Sequence, residues 1–286
     1  MITIEAPAKL NLTLEILGKR SDGYHELKSI AQTINLCDTL SFTDEDNLVF
    51  TGNSTDWHAE KSLVSGAVAL LMRKTGYDGG AAIHVEKRIP LMAGLGGDSS
   101  DAAAVLQGLN RLWKLRFTKR ELAEMAAELG SDVPFFIYGG TCLMEGRGEK
   151  ITSLPAILHR WIVLVVPGIA RTPDKTKNAY AQIQRNHYSN GKITDKMVTE
   201  IKTRQEFDDT RLFNTFENIF FTSGNGLSSQ RNHILHTGVS HCHLAGSGPG
   251  LFTLFNDRKQ AEELFILLGK KGMDVFLTET RPESLD

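Results

Sequence analysis

Two rhythms of apolar residues run along this chain, one of period two and one of helical period, and they predict most of its elements. Residues 2–16 are rich in β-branched and apolar side chains and read as strands broken around Pro7, which has no N–H for a ladder. Residues 30–36, 48–51 and 81–89 read as further strands, and 62–74 as a helix. After a glycine-rich stretch at 90–97, Ala102, Val105, Leu106, Leu109, Leu112 and Trp113 recur at helical spacing, which predicts a buried amphipathic helix. Residues 118–129 follow as a helix opened by Thr118 and Glu121, a capping-box pair, and 135–138 and 141–145 read as strands.

The second half repeats the mixture. The fully apolar run 161–166 predicts a central strand, after a boundary near 155–159. Helices are expected at 176–185, 195–203 and 227–236, with a polar loop at 186–192. The tail reads strand 242–245, glycine turn, strand 251–255, helix 258–271, strand 274–278. Strands and helices in both halves predict an α+β protein, divided into domains 1–157 and 158–286. A chain of 286 residues exceeds one ordinary core, which agrees with that division.

Composition narrows the class. Hydrophobic residues make up 41% and charged residues 23%, ordinary for a globular protein, and a net charge of -2 argues against a general nucleic-acid or membrane-surface binder. The longest apolar runs are too short to span a bilayer. Residues 1–5 enter strand-like alternation without the regions of a secretory leader, and three widely spaced cysteines, Cys37, Cys142 and Cys242, fit a reduced compartment; a cytoplasmic location is expected.

The strongest local chemistry lies in Pro90-Leu91-Met92-Ala93-Gly94-Leu95-Gly96-Gly97-Asp98-Ser99-Ser100-Asp101, between a strand and a helix. Glycines let a backbone turn tightly and approach a ligand, and a helix start offers unpaired N–H groups at the positive end of its dipole. Together they predict a phosphate cradle, with Ser99 and Ser100 as hydroxyl donors or magnesium ligands. No Gly-Lys-Ser/Thr triplet follows, so this is no Walker A loop, and Ser99 replaces the third glycine of a dinucleotide fingerprint.

The pattern Pro90-x-x-x-Gly94-Leu95-Gly96-Gly97-x-Ser99-Ser100-x-Ala102-Ala103 resembles the phosphate-binding motif of the GHMP kinases. Two further motifs of that superfamily occur in order, Ala6-Pro7-Ala8-Lys9-Leu10-Asn11-Leu12 and Leu244-Ala245-Gly246-Ser247-Gly248-Pro249-Gly250. Lys19 to Leu27, containing Asp22-Gly23-Tyr24-His25, is similar to the signature of the diphosphocytidyl-methylerythritol kinase family, as are Gly130-Ser131-Asp132-Val133-Pro134 and Glu145-Gly146-Arg147-Gly148-Glu149. The resemblance runs from Ile4 to about Phe255.

It implies a two-domain fold, with a ribosomal protein S5 domain 2-like N-terminal half, a ferredoxin-like α/β sandwich after it, and the active site between them. It implies ATP and magnesium as cofactors, and transfer of the γ-phosphate to the 2-hydroxyl of 4-diphosphocytidyl-2-C-methyl-D-erythritol in non-mevalonate isoprenoid synthesis. Pro90, Gly94, Leu95, Gly96, Gly97, Ser99 and Ser100 are the implied phosphate-binding residues, Asp132 the base, and Lys9 its electrostatic support. Asn11, Tyr24, His25, Thr176 and Tyr180 are the implied substrate contacts, although Thr172-Pro173 offers a second alignment for the threonine. An aromatic face and ring nitrogens suit a pyrimidine independently of any family.

Two features depart from the pattern. Lys61-Ser62-Leu63-Val64 stands where relatives carry an asparagine beneath the adenine, and Asp98 brings a negative charge to the cradle that is tolerable only if it points away, as a helix cap does. No metal ligand is secure, with Ser99, Ser100 and Glu145 as candidates. His233, His236, His241, Cys242 and His243 match no zinc spacing, and Asn214-x-x-Glu217 reads as structural. The expected partner is a small molecule, with neither nucleic acid nor membrane, and the chain is expected to be a monomer or weak dimer. The competing expectations are a GHMP kinase acting on homoserine or mevalonate, and a non-catalytic nucleotide binder on the same scaffold.

Overall fold

The computed structural model describes residues 1–169, 174–204, 208–222 and 226–282. Two long strands, β1 (Ile2–Lys19) and β2 (His25–Thr43), pair antiparallel along their length and form the spine of the first sheet. Pro7 does not break β1, contrary to the sequence reading: a register shift between Pro7 and Ala8 absorbs the missing N–H, and the strand continues. β2 serves two more partners besides β1, since its second half pairs with β4 (Ala81–Glu86) and its first half with β5 (Thr141–Gly146). β3 (Leu48–Gly52) lies parallel to β4, and β6 (Lys150–Ser153) extends the sheet beyond β5.

Four helices cover this sheet. α1 (Leu63–Thr75) is capped by the Ser62 hydroxyl, and α2 (Gly97–Leu112) packs its alanine-rich face on β1 and α1. α3 (Lys119–Leu129) carries the expected Thr118–Glu121 capping box with both bonds formed. Residues 135–138 are helical, not extended: α4 (Val133–Tyr138) follows Asp132 at its N-cap, with Pro134 in its first turn, where a missing N–H costs nothing. A short aromatic and apolar run carries no period by itself, and Pro134 was the available signal.

The chain leaves the first sheet at Ser153 and enters the second with β7 (Trp161–Val165). β7 is central there, between β10 (Leu251–Phe255) and β11 (Val275–Glu279), and β9 (His243–Leu244) adds an edge; all pairs are antiparallel. The helices of this half are α5 (Lys175–Ala181), α6 (Lys192–Lys202), α7 (Glu217–Phe220), α8 (Gly226–Leu235) and α9 (Arg258–Lys270). α5 is shorter than the expected 176–185. The later half also returns to the first sheet, because β8 (Phe213–Asn214) pairs parallel with β1 and α6 packs against it. One apolar cluster joins Leu14, Phe135 and Phe216, and another joins Leu10, Leu12, Leu164 and Phe252, so both sheets share buried contacts around β1. Among the described residues, no helix is long and apolar enough to cross a membrane.

Candidate active site

The period of β1 puts Lys9 and Asn11 on one side of the strand and Ala8, Leu10 and Leu12 on the other, where the apolar three are buried. Lys9 is itself buried, at 4% exposure, so its ammonium has to be compensated by protein groups. It lies 3.2 Å from Asp132 Oδ2 and donates to Asn11 Oδ1 at 2.8 Å. Asn11 in turn donates to Ser29 Oγ at 2.8 Å, and Ser29 to the Thr13 carbonyl, which fixes the amide and the lysine above it. Asp132 occupies the N-cap position of α4 without making a side-chain cap bond. Its carboxylate is turned to Lys9 and remains partly open to solvent.

The glycine-rich loop is tied to the same lysine. Lys9 N–H donates to Leu95 O at 2.9 Å, and a Cβ on Gly96 would meet Lys9 Cγ at 3.1 Å and Phe136 Cζ at 2.8 Å. The third motif closes on the first two: Gly250 N–H donates to Ala93 O at 3.0 Å, and Gly246 packs against Gly94 O. Asn214 bonds the Leu244 and Gly246 carbonyls and Glu217 accepts from Leu244 N–H, so this pair does build the turn, as read from sequence. Thr176 Oγ1 lies 3.2 Å from Ser247 Oγ, and Lys175 Nζ donates to Met92 O at 3.0 Å, latching the start of α5 to both glycine loops. Thr172 and Pro173 lie outside the described residues.

Of the remaining cradle residues, Pro90 precedes α2 and Gly97 and Ser99 lie in its first turn, all three half-buried. Ser100 is buried and its hydroxyl has no hydrogen-bond partner in the structure. An orphaned hydroxyl in the first turn of a helix is an oxygen ligand of the kind that magnesium or a phosphate takes. Glu145 does not join it; its carboxylate pairs with Lys28 at 3.6 Å. Among the described residues there is no cluster of three or more His, Cys, Asp or Glu side chains able to hold a metal. Asp98 points away from the cradle and accepts from Ser62 Oγ and from Leu63 N–H at 3.1 Å, capping α1. Beside that helix start lies a cavity of about 390 Å³ lined by Phe50, Trp57, His58 and Ser65 among others.

The expected pyrimidine contacts divide. His25 stacks on Tyr180 with ring centres 5.3 Å apart, and Tyr180 meets Phe216 edge to face. Burial pushes the Tyr180 phenol well above its ordinary value, and the nearby Asp132 carboxylate adds to this. Burial, with Lys19 adding, lowers His25. Tyr24 is 52% exposed and contacts neither ring; its partner is the Arg147 guanidinium, 4.7 Å from the ring centre. Arg147 and Tyr188, which also meets His25 edge to face, were not singled out from sequence as site residues. The Glu145–Glu149 motif was the available signal for Arg147. Lys9, Asn11, Asp132, the two glycine motifs, Thr176, His25 and Tyr180 are thus brought into one connected region, with Tyr24 at its margin.

Residues 62–140 match the model of the GHMP kinases N terminal domain. A 4-diphosphocytidyl-2-C-methyl-D-erythritol kinase of Dehalococcoides mccartyi strain 195 is 48% identical over 280 residues, 98% of each chain. The protein of that name from Gloeobacter violaceus is 36% identical over 98% of this chain and 94% of its own. Among solved structures, a 4-(cytidine 5'-diphospho)-2C-methyl-D-erythritol kinase superposes with a TM-score of 0.82 at 28% identity, over 98% of this chain and 99% of the other. A mevalonate kinase of L. major shares the fold, with a TM-score of 0.73 at 17% identity over 100% and 97%.

Proposed function

The chain belongs to the 4-diphosphocytidyl-2-C-methyl-D-erythritol kinase family, and from that premise we propose that it transfers the γ-phosphate of ATP to the 2-hydroxyl of that cytidylyl alcohol. The observation that carries this reading is the 3.2 Å pair of Asp132 with Lys9, the strand residue whose own backbone N–H holds the glycine loop at Leu95. It brings a carboxylate, an ammonium and a dipole-tipped cradle to one place.

The chemistry follows from those groups. Asp132 accepts the proton of the attacking hydroxyl, being the carboxylate beside the loop that no cap bond occupies. Lys9, held in place by Asn11, stabilises negative charge on the attacking oxygen and the transferring phosphoryl group. Residues 94–100 bind the phosphates through backbone N–H groups and the start of α2, with Ser99 and Ser100 as hydroxyl donors. Phosphoryl transfer depends mainly on such positioning and charge stabilisation. Magnesium bound with ATP would neutralise phosphate charge, and the Ser100 hydroxyl fits it as a ligand. The base of ATP suits the aromatic-lined cavity beside α1, where Trp57 and Phe50 take the place of an asparagine side chain.

On the acceptor side, His25 and Tyr180 bound the cytosine, Thr176 the adjoining sugar, and Tyr24 with Arg147 closes the open margin. The domains of this reading are 1–157 and 158–286, the later one lending β8 and α6 to the first sheet. ADP release measured with the cytidylyl alcohol, homoserine, mevalonate or no acceptor tests the assignment. Release should depend on the cytidylyl alcohol alone; equal release with mevalonate, or with no acceptor, overturns it.

A further inference from the structure

Beneath the cradle lies a buried charge cluster that none of the steps above uses. Lys87 Nζ bonds Asp38 Oδ2 and, at 2.6 Å, Asp101 Oδ2; the lysine side chain is 5% exposed and both carboxylates 0%. Asp38 uses its other oxygen to accept from Arg88 N–H at 2.5 Å and Ile89 N–H at 2.8 Å. Asp101 Oδ1 has no partner. Burial, aided by the Asp38 charge, raises Asp101 well above the ordinary carboxylate range. For Lys87, burial works against the charge but the two carboxylates outweigh it and hold the ammonium protonated.

Such a cluster is an expensive way to gain stability, since well-packed apolar residues commonly do as well. What it does fix is geometry. The residues that bracket the cradle, Lys87 to Ile89 before it and Asp101 after it, are joined to one another and to β2 through Asp38. Lys87 Nζ also lies 3.6 Å from where a Cβ on Gly97 would sit, so the ammonium stands directly under the first residue of α2.

We propose that Asp38, Lys87 and Asp101 are positioning residues for nucleotide, clamping both ends of the glycine loop so that the N–H groups at the start of α2 are already aimed at the phosphates. This rests on the kinase reading. The clamp acts on the ATP side only, since the acceptor is bounded by Asn11 on β1, Tyr180 on α5 and His25, thirteen residues from Asp38 at the opposite end of β2. Preorganisation of this kind is worth a large factor, because a misplacement of about 1 Å can cost roughly a hundredfold in rate.

The test uses the full chain with Asp101→Leu, which removes the second acceptor while leaving the Lys87–Asp38 pair, and Asp101→Asn, which keeps an acceptor oxygen. Asp101→Leu should raise the KM for ATP by about tenfold or more. The KM for the cytidylyl alcohol should stay within about twofold, and Asp101→Asn should recover most of the loss. If Asp101→Leu does not fold, Asp101→Ala takes its place in the same comparison. A folded variant with an unchanged KM for ATP, or one in which both KM values rise together, overturns the positioning role. Wild-type protein without acceptor-dependent turnover would instead overturn the kinase reading, so the two failures are told apart.

Discussion

Replacing Gly94 by alanine attacks the contact on which the converging loops depend. Gly94 has φ +85, and a Cβ there would sit 2.1 Å from Ala245 O and 2.9 Å from Gly248 O. Both obstacles are backbone, so no side chain can swing away. The left-handed conformation costs an L-residue about 1–2 kcal/mol. Forcing the loops apart adds about 1–3 kcal/mol, the usual range for overpacking. Reduced freedom of the unfolded chain offsets about 0.4–1 kcal/mol. The balance is a destabilisation of roughly 1–5 kcal/mol, or a fall in Tm of roughly 2–8 °C for a chain of this size. Calorimetry gives the stability, and ADP release gives the KM for ATP, which should rise because Gly94 and Leu95 move with the loop. A variant melting within about 1 °C of wild type with an unchanged KM would refute the close approach.

Two further outcomes follow from groups away from the cradle. Burial, with His243 adding to it, lowers His241 from 6.5 to about 4. The unfolded chain therefore binds a proton that the native state refuses between those values. The contribution is complete above about 6.5 and is lost as pH falls to about 4, by roughly 1–2 kcal/mol after allowance for solvent screening; His241→Gln should flatten that limb of a Tm against pH curve. Thr118→Ala removes one bond of the capping box and should cost about 1 kcal/mol in denaturant unfolding, with kcat unchanged.

The elements that were legible in the sequence are those whose residues answer to a local demand. The glycines of the two glycine-rich motifs mark positions where backbones touch, Thr118 and Glu121 announce a helix start, and the β-branched apolar run at 161–166 reads as a covered central strand. Local patterns failed where long-range partners decide. Nothing near Pro7 shows that β1 survives it, because the bulge is made against β2. Nothing near Lys87 shows that it is buried, because its partners come from β2 and α2. Asp98 was readable as a cap turned away from phosphate, but the helix it caps is set by Ser62 and Leu63, distant in sequence, which donate to it. Lys9 and Asp132 were readable by resemblance, whereas their 3.2 Å contact depends on how α4 packs against α2 and α3.

That contact is tested most directly by Asp132→Asn, an isosteric change that removes the proton acceptor while keeping its shape. ATP and the cytidylyl alcohol should bind the variant about as they bind wild type, while single-turnover phosphoryl transfer falls by roughly a hundred- to ten-thousandfold. Transfer at the wild-type rate with both ligands bound would take Asp132 out of the chemistry.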